Sequence, residues 1–291
     1  MSQSELGRYD DALPGLQKGF KRATDPALKR SSGLQLQRAY TAVGQDDKAV
    51  EVALELTRLY PKDPEVLYHA GRLFANYAYL ATVKLSQVAP ASVWMRQARG
   101  ETYESQGYHD LAIKEYRAVL ALAPNRTGIH FRIGQAMLAR NPQAEAGAEA
   151  APEFEQELKL DPTNANAAYE LGEIQRKAGA FDKAREYFDA ALKYYPEFQE
   201  ARVGLGRVLN TLGKSDRALA HLREAVALDP EDEVAHYQLA LAHKALGNAA
   251  EQQKSLAEFQ RLRERKSRQQ EAVDLSPRQV TKQKLDAKSD P

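Results

Sequence analysis

Two spacings in this sequence could carry chemistry. His236 and His243 stand seven residues apart on one helix face, two turns distant, and imidazoles are common metal ligands. No third ligand lies between them, so the pair reads as solvated or partly buried rather than as a metal site. Gly204 and Gly206, with Gly213 beyond them, resemble the start of a phosphate-cradling loop. Such a loop follows a strand, and none precedes these glycines, so they read as helix-packing and turn positions. Glutamates are abundant, but no two form an isolated carboxylate pair in an apolar setting. No nucleophile stands beside a base. The expectation is a non-catalytic chain with no cofactor and no metal.

Composition narrows the classes further. The chain has 291 residues, 43% of them apolar, and a formal net charge of +1. That balance argues against a dedicated binder of nucleic acid or of anionic membranes, which usually carries a marked basic excess. There is no cysteine. Disulfides, thiolate nucleophiles and thiolate metal sites are excluded, and either a reducing or an oxidising compartment is compatible. No apolar run approaches the roughly 18 residues of a membrane-span candidate. The leading MSQSELGRYDD is polar and acidic, unlike a signal peptide.

Organisation comes from the elements that hold such residues. Ala165 to Phe198 carries two apolar stripes of helical period. Ala168, Leu171, Gly172 and Gln175 lie on one, and Ala184, Tyr187, Phe188, Ala191 and Leu192 on the other. Gly179 separates the two helices, Asp182 can cap the second, and Pro196 ends it. Shifted by 34 residues the pattern returns, with Leu205, Gly206, Gly213, Asp216, Ala218, Leu222, Ala225 and Pro230 in the matching places. A period of this length marks a stacked helical array, because one helix pair cannot cover its own apolar faces.

The set Leu-Gly, Gly, Ala, aromatic, Ala, Pro at these spacings resembles the tetratricopeptide repeat family. The resemblance implies an all-α, right-handed superhelical solenoid of antiparallel helix pairs, with six to seven repeats and a half repeat in front. Gly7, Tyr9, Asp10, Ala12, Leu16 and Phe20 fit a second helix whose first helix is missing, so 1–29 is expected to be a truncated half repeat. The array is expected over 30–266, and 267–291 as a fraying helix end and then disorder. Units beginning at Arg30, Val93, Thr127, Ala165, Gln199 and Glu233 are in register. The unit between Pro64 and Ser92 is five residues short. Periodicity alone reads one long helix there, whereas the repeat pattern requires a tight break near Asn76 to Ala78, and two helices are expected. The Thr127 unit is four residues long for the period, with the surplus expected as a turn within Arg140 to Pro152.

Within each unit the Leu-Gly pair and the later Ala let the helices approach, and Tyr116, Phe154 or Phe188 fills the space beneath. These positions are structural. Function is expected on the first helix of each pair, which in this family lines the concave face. Its fifth and ninth places hold Leu34, Tyr68, Phe131, Tyr169 and Tyr237 and, among the charged residues, Arg38, Arg72 and Arg207. Aromatics bordered by arginines suit an extended peptide or a partner helix, since Tyr and Arg dominate interface hot spots. The Lys and Asn clamp that some members use for a chaperone's C-terminal carboxylate is absent. Its places hold Arg38, His69, Trp94 and Ala98 in the N-terminal units, and Asn166, Tyr169, Glu170 and Glu173 later.

The expected function is therefore a non-catalytic scaffold or adaptor that binds a protein or peptide in its groove. The alternative is the docking array of a larger enzyme or assembly machine, with its other domain upstream of Met1. A cytoplasmic location is expected if Met1 is the true start, and a periplasmic or secreted one if an upstream signal is missing.

Overall fold

The computed structural model describes residues 9–141 and 144–274. Among these the chain is built from fourteen α-helices joined by turns, with no strand. They are α1 (Tyr9–Arg22), α2 (Pro26–Ala42), α3 (Asp46–Leu59), α4 (Pro64–Val88), α5 (Val93–Ser105), α6 (His109–Leu122) and α7 (Ile129–Arg140). Then come α8 (Ala144–Leu160), α9 (Ala165–Lys177), α10 (Phe181–Tyr194), α11 (Gln199–Thr211), α12 (Ser215–Leu228), α13 (Glu233–Ala245) and α14 (Ala249–Asp274). The chain divides into two compact units, Met1–Ala98 and Arg99–Pro291.

In each unit the helices pack on their neighbours in sequence, and in the second the alternate helices α9, α11 and α13 also touch. This is the solenoid arrangement of stacked helix pairs. Turns between paired helices are closed by glycine. Gly44, Gly107, Gly179, Gly213 and Gly247 have φ between 70° and 77°, a left-handed conformation that costs glycine nothing and other residues much. The first core gathers Phe20, Leu36, Tyr40, Leu56, Val66 and Leu73. The second gathers Phe188, Leu205, Val208, Leu209 and Leu222.

Ala184 is fully buried within that second core, so the close approach of paired helices there depends on a small side chain. Ala184→Leu is expected to overfill the gap and lower stability by about 1–3 kcal/mol, read as a lower urea midpoint at unchanged slope.

Two expectations are corrected. Pro64 to Val88 forms one continuous helix of 25 residues, with no break near Asn76 to Ala78. The reason is local: Ala78 stands where five other pairs supply a left-handed glycine, and no proline interrupts the run of Ala, Leu, Tyr and Val. The expected turn in Arg140 to Pro152 is likewise mostly helix, since α8 begins at Ala144. Alanine and glutamate are strong helix formers, and they extend α8 with Pro152 inside it. Helix α2 begins at Pro26, ahead of the repeat start at Arg30, because Asp25 accepts from Leu28 N–H and Pro26 occupies the first turn. Helix α14 runs to Asp274. The disorder expected beyond it and the place of Gly7 fall outside the described residues.

Neighbouring repeats are tied by a recurring clasp. Asp63 caps α4 by accepting from Glu65 N–H and Val66 N–H, each at 3.0 Å, and also accepts from Arg30 Nε at 2.6 Å. In the second unit Asp232 caps α13 from Val234 and Ala235 N–H and accepts from Gln199 Nε2 at 2.6 Å. In both places the first residue of one repeat holds the cap of the next. The hydrogen bond from Arg30 holds the Asp63 carboxyl below its ordinary range.

Candidate functional site

The residues singled out from the sequence fall into two groups, one in each unit. In the first unit, Leu34 is not available. It is 4% exposed in the core, because α1 packs along α2 and covers that face. The other three residues are exposed and linked. Arg38 Nη2 lies 2.9 Å from His69 Nε2, and the His69 ring meets the Tyr68 ring edge-on with centroids 5.2 Å apart. Arg72 donates from Nη1 to the Tyr68 hydroxyl at 3.1 Å and sits 5.9 Å from its ring centroid. That hydrogen bond raises the Arg72 guanidinium above its ordinary range.

The result is a continuous run, Arg38–His69–Tyr68–Arg72, across α2 and α4. Tyr68 is 57% exposed. Among the described residues neither arginine pairs with a carboxylate. Glu65, 3.9 Å from His69, is itself held by Arg30 at 2.7 Å. His69 was not anticipated as the bridge. Its place, three residues before Arg72 and next to Tyr68, was the available signal.

In the second unit the aromatics are more deeply set. Phe131 is half-buried against Phe154, at a centroid distance of 5.8 Å. Tyr169 lies 5.0 Å from the Phe198 ring and 6.0 Å from Phe188. Burial, with Glu173, Glu170 and Glu200 nearby, pushes its hydroxyl up to about 12. Tyr237 is 40% exposed and stacks on Phe259 at 5.2 Å. Arg207 is half-buried, and its backbone carbonyl accepts from Thr211.

Around Tyr169 the surface is rich in carboxylates rather than arginines. Gln135 donates to Glu170 at 2.7 Å, and burial raises the Glu170 carboxyl above its ordinary range. Glu173 is held by Arg176 through two bonds of 2.9 and 2.8 Å. One helix pair earlier, Arg132 donates to Glu104 at 2.9 Å, and the Tyr116 hydroxyl donates to the same carboxylate. Desolvation and Glu104 push the Tyr116 hydroxyl upward. The two faces therefore differ in character, cationic on α2 and α4 in the first unit and rich in carboxylates around α9 in the second.

The other spacings resolve as packing. His236 and His243 are buried, with Nε2 of His236 3.0 Å from the Pro230 carbonyl and Nδ1 of His243 3.4 Å from Asn248 Nδ2. Burial pushes His243 below its ordinary range. Among the described residues no group of three or more potential ligands could hold a metal. A side chain on Gly204 or Gly206 would collide with Phe188 or Leu222, leaving no cradle for phosphate. Among the described residues no helix is long and apolar enough to cross a membrane.

No curated protein matches the sequence. Two family profiles described as tetratricopeptide repeat match residues 143–193 and 176–233, and residues 95–126. Among solved structures, MamA aligns with a TM-score of 0.52 and 22% identity, over 58% of this chain and 96% of that one. MamA from Desulfovibrio magneticus RS-1 gives 0.51 and 19%, over 61% and 96%. YrrB, described as a tetratricopeptide-repeat protein with an unusual peptide-binding site, gives 0.54 and 20%, over 62% and 92%. At these identities the likeness is one of fold. With the repeat profiles over residues 95–126 and 143–233, the stacked helix pairs and the glycine-closed turns, it shows tetratricopeptide repeats in this chain.

Proposed function

We propose that the protein is a non-catalytic scaffold that binds a segment of another protein, with its acidic side chains on the α2–α4 face. The observation that carries this reading is the exposed run Arg38–His69–Tyr68–Arg72. It presents two guanidinium groups and an open tyrosine ring, and neither arginine has a carboxylate partner of its own among the described residues. Guanidinium forks recognise carboxylates with two parallel hydrogen bonds, and the tyrosine supplies rigid contact area beside them. The reading is supported by YrrB, a protein of similar fold described with a peptide-binding site of its own. In the second unit, the carboxylates around Tyr169 favour basic residues in whatever segment lies there.

Affinity is expected to be modest, since a segment that orders on binding gives up conformational entropy. It should fall with added salt, because Arg38 and Arg72 are exposed and screened. The test compares wild type with Arg38→Glu/Tyr68→Ala/Arg72→Glu as bait in a pull-down from the source organism. The triple variant is expected to stay helical by circular dichroism and to lose partners that the wild type releases at high salt. Retention of the same partners at the same salt by the folded variant would exclude the α2–α4 face.

A further inference from the structure

The carboxylates around Tyr169 gather toward one edge of the second unit. Glu170 stands sixth in α9 and Glu200 second in α11, and the negative charge of both reaches the Tyr169 hydroxyl. Glu200 is exposed, and Glu170 is half-buried with Gln135 as its hydrogen-bond donor. Among the described residues neither is ion-paired, whereas Glu173 is already held by Arg176. The cations of these faces, Arg176, Lys177 and Arg207, stand further along the helices. Lys177 is roughly 10 Å beyond Glu170 along the axis and acts on it only from that distance.

Helix α14 leaves the stack at the same edge. It runs back along α13, where Lys266 Nζ donates to Glu233 at 3.1 Å and Arg265 Nη1 to Glu231 at 2.6 Å. Glu233 is the first residue of α13, so Asp274, eight residues after Lys266, lies roughly 12 Å past the start of that helix. Helix α11 touches both α13 and α9. With packed axes roughly 8–10 Å apart, Glu200 lies roughly 20 Å from the end of α14 and Glu170 roughly 30 Å. The sequence that follows Asp274 is LSPRQVTKQKL, with Arg278, Lys282 and Lys284 and no acidic residue. At roughly 3.4 Å per residue, Lys282 spans up to about 27 Å from Asp274 and Lys284 up to about 34 Å.

We propose that residues 278–284 of this chain occupy the α9–α11 face until a partner displaces them, with Lys282 at Glu200 and Lys284 at Glu170. The proposal rests on the reading that this face takes basic residues. Charge and reach select the occupant, since two cations meet two carboxylates that lack one, at distances the chain can span. The lysine stems can lie along the Tyr169 ring while their ammonium groups stay at the carboxylates. A tethered segment needs little affinity of its own, because its effective concentration is in the millimolar range. A basic segment of a partner must outcompete it, which sets a threshold for binding at the second unit. No residue of the α2–α4 face takes part.

The test uses the full chain, with a labelled synthetic peptide of residues 275–291 as probe. Arg278→Gln/Lys282→Gln/Lys284→Gln changes only residues beyond α14. It is expected to bind the probe at least about tenfold more tightly than wild type, whose own segment competes. Adding Glu170→Gln/Glu200→Gln to that variant should weaken the probe at least about tenfold, as should about 0.5 M salt. Because the chain has no cysteine, Asn166→Cys/Gln283→Cys supplies one exposed thiol on α9, a turn before Glu170, and one in the segment. At about 1 µM, mild oxidation should link them within one chain at least about tenfold faster than in Asp216→Cys/Gln283→Cys, whose first thiol lies where α12 begins, at the opposite edge. Equal probe affinity for wild type and the glutamine variant, equal linking rates, or links formed between chains would each overturn the proposal. Probe binding in those cases would still uphold basic recognition by the α9 face. No probe binding by any variant would remove that reading and the proposal together, and neither outcome bears on the pull-down with Arg38 and Arg72.

Discussion

Phe188→Ala is expected to lower stability by about 3–5 kcal/mol, the range for removing a fully enclosed ring. The ring is 0% exposed and serves two interfaces at once. A Cβ placed on Gly172 would come within 2.7 Å of it, and one on Gly204 within 2.6 Å. It therefore fills the space inside its own repeat and the space under the next. Tyr169 also leans on it, at 6.0 Å between centroids. Truncation would open a cavity that neither glycine can close. The loss should appear as a lower urea midpoint, with Phe188→Leu well below Phe188→Ala. A loss under about 1 kcal/mol for Phe188→Ala would show that the two repeats repack around the gap.

Glu157→Ala is expected to cost about 2–4 kcal/mol, although the residue looks like a surface glutamate in the sequence. Its side chain is 0% exposed. Helix α7 begins after Gly128, which lies at φ 83° and has no side chain to cap the helix. Glu157 reaches across from α8 and accepts from Gly128 N–H at 2.6 Å and Phe131 N–H at 3.2 Å. Asn164 Nδ2, whose own Oδ1 caps α9, approaches the same carboxylate at 3.4 Å. Removing it leaves half-buried donors unmet and takes a negative group from a helix N-terminus. Glu157→Gln keeps an acceptor and should cost about half as much. Equal stability of Glu157→Ala and wild type by chemical denaturation would contradict this capping role.

The repeat itself was legible because its packing code is local. Leu171 with Gly172, Gly179, Ala184, Phe188 and Pro196 each answer to a helical period or a turn requirement that one chain displays. What was not legible depended on partners distant in sequence. Leu34 occupies a place that is exposed in a regular repeat, yet α1 covers it, and no spacing within α2 announces that. Glu157 is hidden for the same reason, since its capping partners lie 26 and 29 residues away. The continuous α4 was a true conflict between two readings. It was decided by one missing glycine, at a place where Ala78 favours helix and the turn lost its strongest local cause. The linked Arg38, Tyr68 and Arg72 were foreseeable from the 34-residue spacing of Arg38 and Arg72, and His69 entered only with the side-chain geometry.

The clasps at Asp63 and Asp232 have a mechanical consequence. Each ties consecutive repeats at one edge of a stack, where first helices begin, and leaves the far ends of those helices without that bond. Bending within a unit should then keep its pitch at the tied edge and be taken up toward the far ends, less so between α11 and α13, where Asn210 Nδ2 donates to the Gln238 carbonyl at 2.9 Å. A strand of partner gripped along the tied edge would meet the stiffer wall. Acid would loosen the stitching at Asp63 only as its carboxyl takes up a proton, below the ordinary aspartate range because Arg30 resists it.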